Sequence, residues 1–271
     1  MANEFCAVFN RCYPHLRMSD ERFASLFPRG KFCEYKKDGK LLGFAVSEGN
    51  AIRMICVLPD FQRQGIGTKL LAEAEADVAA GGYKKAIVGG TSSRLFIGAD
   101  AKSWGFFEKN GYRAHDGCDE MLMVLKNYPA VDYPFRGHEC ATFGWFDGEI
   151  DEIRAAVAQV EDDWTQYFTD PKHIYVARVD GEIASFCLVD CNCRNYLSDA
   201  YGKVGMPGCV GTVPKFRNRG IGIEMVANAT QYLKEQGMDV SFIFYTGVAD
   251  WYEKIGYRTF LSEIFCEKEL S

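Results

Sequence analysis

Two stretches, V-L-P-D-F-Q-R-Q-G-I-G-T-K-L-L (Val57 to Leu71) and T-V-P-K-F-R-N-R-G-I-G-I-E-M-V (Thr212 to Val226), are copies of one pattern. Pro59 aligns with Pro214, Phe61 with Phe216, Gly65 with Gly220 and Gly67 with Gly222, all at a spacing of 155 residues. Beyond the glycines, Ile66, Leu70, Leu71, Ala74 and Val78 correspond to Ile221, Met225, Val226, Ala229 and Leu233. These intervals put one apolar stripe along a helix in each copy. Gly82 and Gly237 follow the stripes, where a helix is expected to stop. Apolar runs ahead of each pattern (Ile52 to Leu58; Val210 to Val213) read as strands.

The repeat extends in both directions. Downstream, F-F-E-K-N-G-Y (Phe106 to Tyr112) matches W-Y-E-K-I-G-Y (Trp251 to Tyr257) at a spacing of 145, so the first copy is ten residues longer between its two motifs. The extra residues fall in Gly89 to Asp100, whose glycines and serines read as loop. Upstream, each copy carries a hairpin with Asp-Gly at its turn: Cys33 to Val46 around Asp38-Gly39, and Ile174 to Val189 around Asp180-Gly181. Lys126 to His138 holds two prolines and a glycine and reads as a connection. The expected organisation is a domain over 1–128, a linker over 129–138 and a second domain of the same fold over 139–271. Strands mixed with helices in this order imply an α/β class, a mixed sheet flanked by helices in each half.

The 271 residues are 48% hydrophobic and 25% charged, a globular composition with enough apolar mass for two cores. A net charge of −6 is not the footprint of a nucleic-acid binder. No apolar run reaches the ~18 residues of a membrane span, and no basic-then-apolar leader opens the chain, so a cytoplasmic protein without a membrane partner is expected. Eleven cysteines, an odd count with no framework spacing, fit reduced thiols. The group Cys187, Cys191, Cys193 and Cys209 lacks paired C-x2-C spacing, so no metal site is expected.

A Gly-x-Gly turn between strand and helix is suited to an anion. The helix N-terminus presents unpaired N–H groups and the positive end of the dipole, and glycine lets the ligand approach. Gln62-Arg63-Gln64 and Arg217-Asn218-Arg219 add side-chain donors. A Walker A loop would need Gly-Lys-Ser/Thr, and a dinucleotide fingerprint would need glycine at Leu70 and Met225. The remaining pattern, Q/R-x-x-G-x-G/A, resembles the acetyl-coenzyme A pyrophosphate loop of the GNAT superfamily of N-acetyltransferases. The resemblance takes in both halves, including the aromatic-aromatic-Glu-Lys-x-Gly-Tyr segment.

That resemblance implies two tandem GNAT domains, each with a sheet splayed at the loop strand and coenzyme A entering the gap. Pyrophosphate would be held by the backbone of Gln62, Arg63, Gln64, Gly65, Ile66, Gly67 and Thr68, or by that of Arg217, Asn218, Arg219, Gly220, Ile221, Gly222 and Ile223. Strand ends at Val57, and at Val210 and Thr212, would line the pantetheine arm. In the family a tyrosine of the short terminal helix often protonates the departing thiolate. Tyr252 matches it, whereas Phe107 in the first half has no hydroxyl, so the second half is expected to be catalytic and the first accessory. The base is left open among Asp190, Asp199, Asp250 and a water chain, with Asp190 preferred and Glu224 read as solvated.

The four histidines bring no competing chemistry. No G-x-S-x-G elbow is present, and His138-Glu139-Cys140 falls short of a deaminase motif. The resemblance therefore implies acetyl transfer from acetyl-CoA to a primary amine of a small molecule or peptide. A non-catalytic acyl-CoA sensor or scaffold, and an acyltransferase like the mycothiol synthases, are the alternatives. The acceptor region is expected before each hairpin and in Asn192 to Pro207, and the oligomeric state is left open.

Overall fold

The computed structural model describes residues 2–90, 95–193 and 196–270. Its first elements are α1 (Ala2–Cys12), α2 (Asp20–Leu26), β1 (Lys31–Lys37), β2 (Lys40–Glu48), β3 (Ala51–Val57) and α3 (Ile66–Ala80). There follow β4 (Lys85–Val88), β5 (Ala99–Asp100), α4 (Trp104–Lys109) and β6 (Arg113–Val124). The chain continues through β7 (Thr142–Trp145), α5 (Ile150–Ala158), β8 (Ile174–Val179), β9 (Glu182–Asp190), α6 (Ser198–Tyr201) and β10 (Val204–Thr212). It ends with α7 (Ile221–Glu235), β11 (Val240–Thr246), α8 (Ala249–Glu253) and β12 (Arg258–Glu269). No helix among the described residues is long and apolar enough to cross a membrane.

Local chemistry accounts for most of these elements. Asp38-Gly39 and Asp180-Gly181 take positive φ at both positions (53° and 74°; 50° and 82°), the conformation of a tight hairpin turn. α3 buries Ile66, Leu70, Leu71, Ala74 and Val78, the stripe read from the sequence. α7 buries the matching stripe and also Ile223, Glu224, Ala227 and Thr230, so a second face of this helix is covered.

The chain forms two compact units whose composition is not two consecutive halves. The first holds Met1–Cys118, Asn195–Ala200 and Leu261–Ser271; the second holds Asp119–Arg194 and Tyr201–Phe260. The expected linker, 129–138, belongs wholly to the second unit, and the last eleven residues belong to the first. In the first unit the strand order is β1-β2-β3-β4-β12, with β5 also paired to β12. β12 closes this sheet through Glu267↔Ile87, Lys268↔Ala86 and Glu269↔Lys85, and its Cys266 joins the core around Ala45, Ile52, Leu70 and Phe107. In the second unit the order is β6-β11-β10-β9-β8-β7, and β6 brings Met121 and Met123 into a core with Met225, Leu233 and Tyr257.

Each sheet is mixed, and each splays as the resemblance implies. β3 runs parallel to β4 only at Ala51↔Ile87 and Ile52↔Val88, although β3 continues to Val57. β10 runs parallel to β11 only at Val204↔Val240 and Gly205↔Ser241, and then continues to Thr212. β10 starts earlier than the apolar run suggested, because Gly205, Pro207 and Gly208 read as loop. The strand accommodates them with a register shift between Gly208 and Gly211 and Cys209 at φ 47°.

Candidate functional site

The two loops share one backbone conformation. Each strand leads into a 3-10 turn (Pro59–Phe61; Pro214–Phe216) and then a left-handed residue, Arg63 at φ 61° or Asn218 at φ 63°. Each helix is then entered from a left-handed glycine, Gly65 at φ 81° or Gly220 at φ 78°. Left-handed residues alternating with ordinary ones are the backbone pattern that suits an anion at a helix N-terminus. Gln62 and Arg217 fold back on the strand ends. Gln62 Nε2 donates to the Val57 carbonyl at 3.0 Å and Arg217 Nε to that of Thr212 at 3.1 Å. They brace the turn, leaving Arg63, Gln64, Asn218 and Arg219 exposed around it.

The second glycine of each loop meets different neighbours. A Cβ on Gly67 would stand 3.4 Å from the Phe106 ring, an ordinary contact, whereas one on Gly222 would fall 2.7 Å from Thr212 Oγ1. That hydroxyl already lies 3.0 Å from Ser185 Oγ. Gly67→Ala is therefore expected to shift the melting temperature by less than about 2 °C, while Gly222→Ala costs about 1–3 kcal/mol through overpacking. Paired thermal melts of the two variants check this ordering.

In the first unit the splay opens into a cavity of about 690 Å³. Met54, Ile55 and Val57 of β3 face Val88 of β4, and the loop contributes Gln62, Arg63, Gly65, Gly67 and Thr68. Gly105, Phe106, Phe107, Lys109 and Asn110 of α4 form one side. The far end is made by Tyr13, Arg53, Phe96, Gly98 and Asp100. Three of these, Phe96, Gly98 and Asp100, come from the ten-residue extension of the first copy. Of that Gly89 to Asp100 loop, residues 91–94 lie outside the described residues; the rest folds back, with Gly90 N donating to Phe96 O at 3.0 Å. The rings of Tyr13 and Phe96 lie 4.9 Å apart.

Two charged groups here carried no signal in the motif reading. Arg53 interrupts an apolar strand, is 2% exposed, lies 3.8 Å from Glu48 and donates to the Leu95 carbonyl at 3.3 Å. Burial pulls its pKa down, against the attraction of Glu48 and Glu263. Glu263, from β12, is 2% exposed and accepts from Gly98 N at 3.3 Å through Oε1. Burial raises its pKa to about 7, reinforced by Asp100 and opposed by the Gly98 and Ile97 amides and by Arg53. The sequence cue to each was a single charge set within an otherwise strand-like segment.

The residues proposed for catalysis on sequence grounds scatter. Tyr252 is buried among Trp251 (4.8 Å) and Tyr257 (5.9 Å), and burial pushes its hydroxyl pKa well up. Phe107 occupies the equivalent place, packed on Phe106 (5.1 Å) and Tyr112 (5.5 Å), so packing alone accounts for an aromatic at both positions. Asp190 ends β9 and accepts from Asn192 N at 2.7 Å, an Asx-type turn. Asp199 belongs to the first unit, where it accepts from Ser19 N and Oγ at 2.8 Å each and lies 3.5 Å from Arg22. Asp250 is exposed in the first turn of α8. Glu224 is not solvated as expected but 8% exposed, accepting from His138 N at 3.1 Å, with His138 Nδ1 2.9 Å from its other oxygen. Val210 is half-buried in β10.

Comparisons with known proteins agree with this geometry. A family model described as an acetyltransferase (GNAT) domain matches residues 28–114 and again 170–259, together more than half the chain. Among solved structures, the chain is similar to a protein described as a GCN5-related glucosamine N-acetyltransferase region in a fungal multi-domain GH3 β-N-acetylglucosaminidase. The TM-score is 0.72 at 22% identity, over 98% of this chain and only 36% of the fungal one. A GCN5-related N-acetyltransferase from Sphaerobacter thermophilus aligns at TM-score 0.69 and 17% identity, over 99% of this chain and 92% of that one. A tandem GNAT protein from the clavulanic acid biosynthesis pathway aligns at 0.60 and 12% identity, over 99% and 94%. A comparison with curated protein sequences returned no match.

Proposed function

Because the chain belongs to the GNAT acetyltransferase family, with a GNAT domain matched in each half, we propose that it transfers acetyl from acetyl-CoA to a primary amine of a small molecule or peptide. The observation that carries this reading is the first unit's cavity, which joins the loop to a splayed strand pair in one continuous space. Arg63, Gly65, Gly67 and Thr68 border the end suited to pyrophosphate, with Lys109 of α4 as a further cationic partner for phosphate. The apolar stretch of Met54, Ile55, Val57 and Phe106 suits the pantetheine arm. The acetyl group would reach the end made by Tyr13, Arg53, Phe96 and Asp100. In this reading chemistry falls to the first unit, the reverse of the division suggested by Tyr252.

Amide formation asks the protein to free an amine lone pair, to stabilise the tetrahedral oxyanion and to let the thiolate leave protonated. Phe107 cannot donate that proton, so in this unit it passes from the attacking amine to sulfur or comes from solvent. Calorimetric titration with acetyl-CoA, followed by thiol release with glucosamine, spermidine and a peptide with a free N-terminus, tests the proposal. Glucosamine is included because the fungal relative is described as a glucosamine N-acetyltransferase. Binding and turnover with at least one amine are expected. Absence of binding sinks the reading, and binding without turnover favours the sensor alternative.

A further inference from the structure

We propose that Glu263, carried into the first unit by the last strand of the chain, is the proton acceptor for the amine at the Asp100 end of the cavity. The inference rests on the acetyltransferase reading above and adds the group that activates the acceptor. Glu263 lies directly opposite Asp100 in the β5–β12 ladder, and opposed residues in an antiparallel pair project to the same face. Asp100 and Gly98 line the cavity, and Gly98 N–H donates to Glu263 Oε1. Glu263 is therefore one residue behind the wall, within reach of the cavity through Asp100 or one water. Its other oxygen, Oε2, is buried without a hydrogen-bond partner among the described residues, an open acceptor.

A merely structural side chain here has a cheaper alternative. Glutamine would accept the same Gly98 bond without a buried charge, so a carboxylate costs stability that a fold-only role does not require. The charged and titratable groups acting on it are Arg53 from β3, Asp100 from β5 and Tyr13 following α1, with Glu48 engaging Arg53 from β2. Their balance, with burial, leaves Glu263 poised between protonated and ionised near neutral pH, which suits a general base. In the step, the ammonium gives one proton, by way of Asp100 or one water, to the Glu263 carboxylate, and its nitrogen forms the C–N bond. When the C–S bond breaks, the departing thiolate takes the amine's second proton and Glu263 releases the first to solvent.

The test compares wild type, Glu263→Gln and Glu263→Asp for kcat/KM from pH 5.5 to 9.5, using whichever of glucosamine, spermidine and the peptide is turned over. Wild type is expected to rise to a plateau above about pH 7, where Glu263 ionises. Without the carboxylate only the free amine reacts. Glu263→Gln should then keep rising about tenfold per pH unit toward the amine's own pKa, which near pH 7.5 leaves it about 100-fold below wild type with spermidine, an alkylamine of pKa about 10, and only a few-fold below with the peptide, whose α-amine has a pKa of about 8. Glu263→Asp is expected to regain part of the plateau. Acetyl-CoA affinity should stay within threefold in both variants. Because the folded pKa lies above the ordinary value, native protein holds the extra proton between about 4.5 and 7 and loses stability as pH rises through that window. Glu263→Gln lacks this loss, so it should melt no lower than wild type at pH 8. An unchanged plateau in a folded, acetyl-CoA-binding Glu263→Gln protein overturns the inference alone. Failure of the wild type to bind acetyl-CoA or acetylate any of the amines overturns the acetyltransferase reading, and this inference with it.

Discussion

Ending the chain after Phe260 is expected to unfold the first unit, although the deleted residues lie at the far end of the sequence from most of it. Residues Leu261–Ser271 belong to that unit, and the β12 segment closes its sheet against β4. Deletion bares the backbone groups of β4 at Lys85, Ala86 and Ile87, a penalty of about 1 kcal/mol for each hydrogen bond lost. It also removes buried Cys266 with the partly buried Ile264 and Leu270 from the core around Leu70 and Phe107, each at a fraction of the about 1.5–3 kcal/mol that a fully buried aliphatic side chain is worth. The part-buried ion pair of Lys268 with Glu75, 2.8 Å long, goes too. Together these losses approach the roughly 5–15 kcal/mol that holds a domain folded. Hydrogen exchange read by mass spectrometry should show β2, β3 and α3 unprotected in the truncated protein. Phe242 and Ile243, paired to Leu122 and Met121 in the second unit's own sheet, should keep their protection. Retained protection in β3 would show that β12 is dispensable to the first unit.

That strand assignment is also where reading the sequence stops. Stripes such as Ile66-Leu70-Leu71-Ala74-Val78 and turns such as Asp38-Gly39 are written in neighbours a few residues apart, so periodicity and turn chemistry find them. Which sheet a terminal strand joins is a matter of long-range pairing. Nothing local in the sequence of β12 says that Glu267 faces Ile87. The same limit governs the site. The loops were legible because glycine at positive φ leaves a signature, but Glu263 meets Gly98 from 165 positions away and Glu224 meets His138 from 86. Glu224 therefore read as a solvated helix carboxylate. Tyr252 drew attention for its hydroxyl, although its surroundings match those of Phe107, an aromatic with none. Arg53 was visible as a charge in an apolar strand, but its partners Glu48 and Leu95 were not.

Gly105→Trp is expected to abolish acetyl-CoA binding by the first unit while leaving its fold intact. Gly105 lies in α4 and lines the cavity, and a Cβ built on it meets nothing within 4 Å. Its φ is not in the left-handed region, so a side chain brings no backbone strain. Replacing a helical glycine with another residue instead recovers up to about 1 kcal/mol of helix propensity. An indole at this position projects into space otherwise needed by the ligand between α4 and the Gly65–Thr68 loop. The affinity is expected to fall at least about 100-fold, or about 2.7 kcal/mol, with the melting temperature within about 2 °C of wild type. Gly105→Ala fills far less of the space and should lose less than tenfold. Calorimetry and thermal melts on the three proteins read both quantities. The contrast separates this cavity from the second loop, because a tryptophan on α4 leaves Arg217 to Ile223 chemically unchanged. If Gly105→Trp binds acetyl-CoA as wild type does, the ligand lies elsewhere, and the loop around Gly220 becomes the place to look.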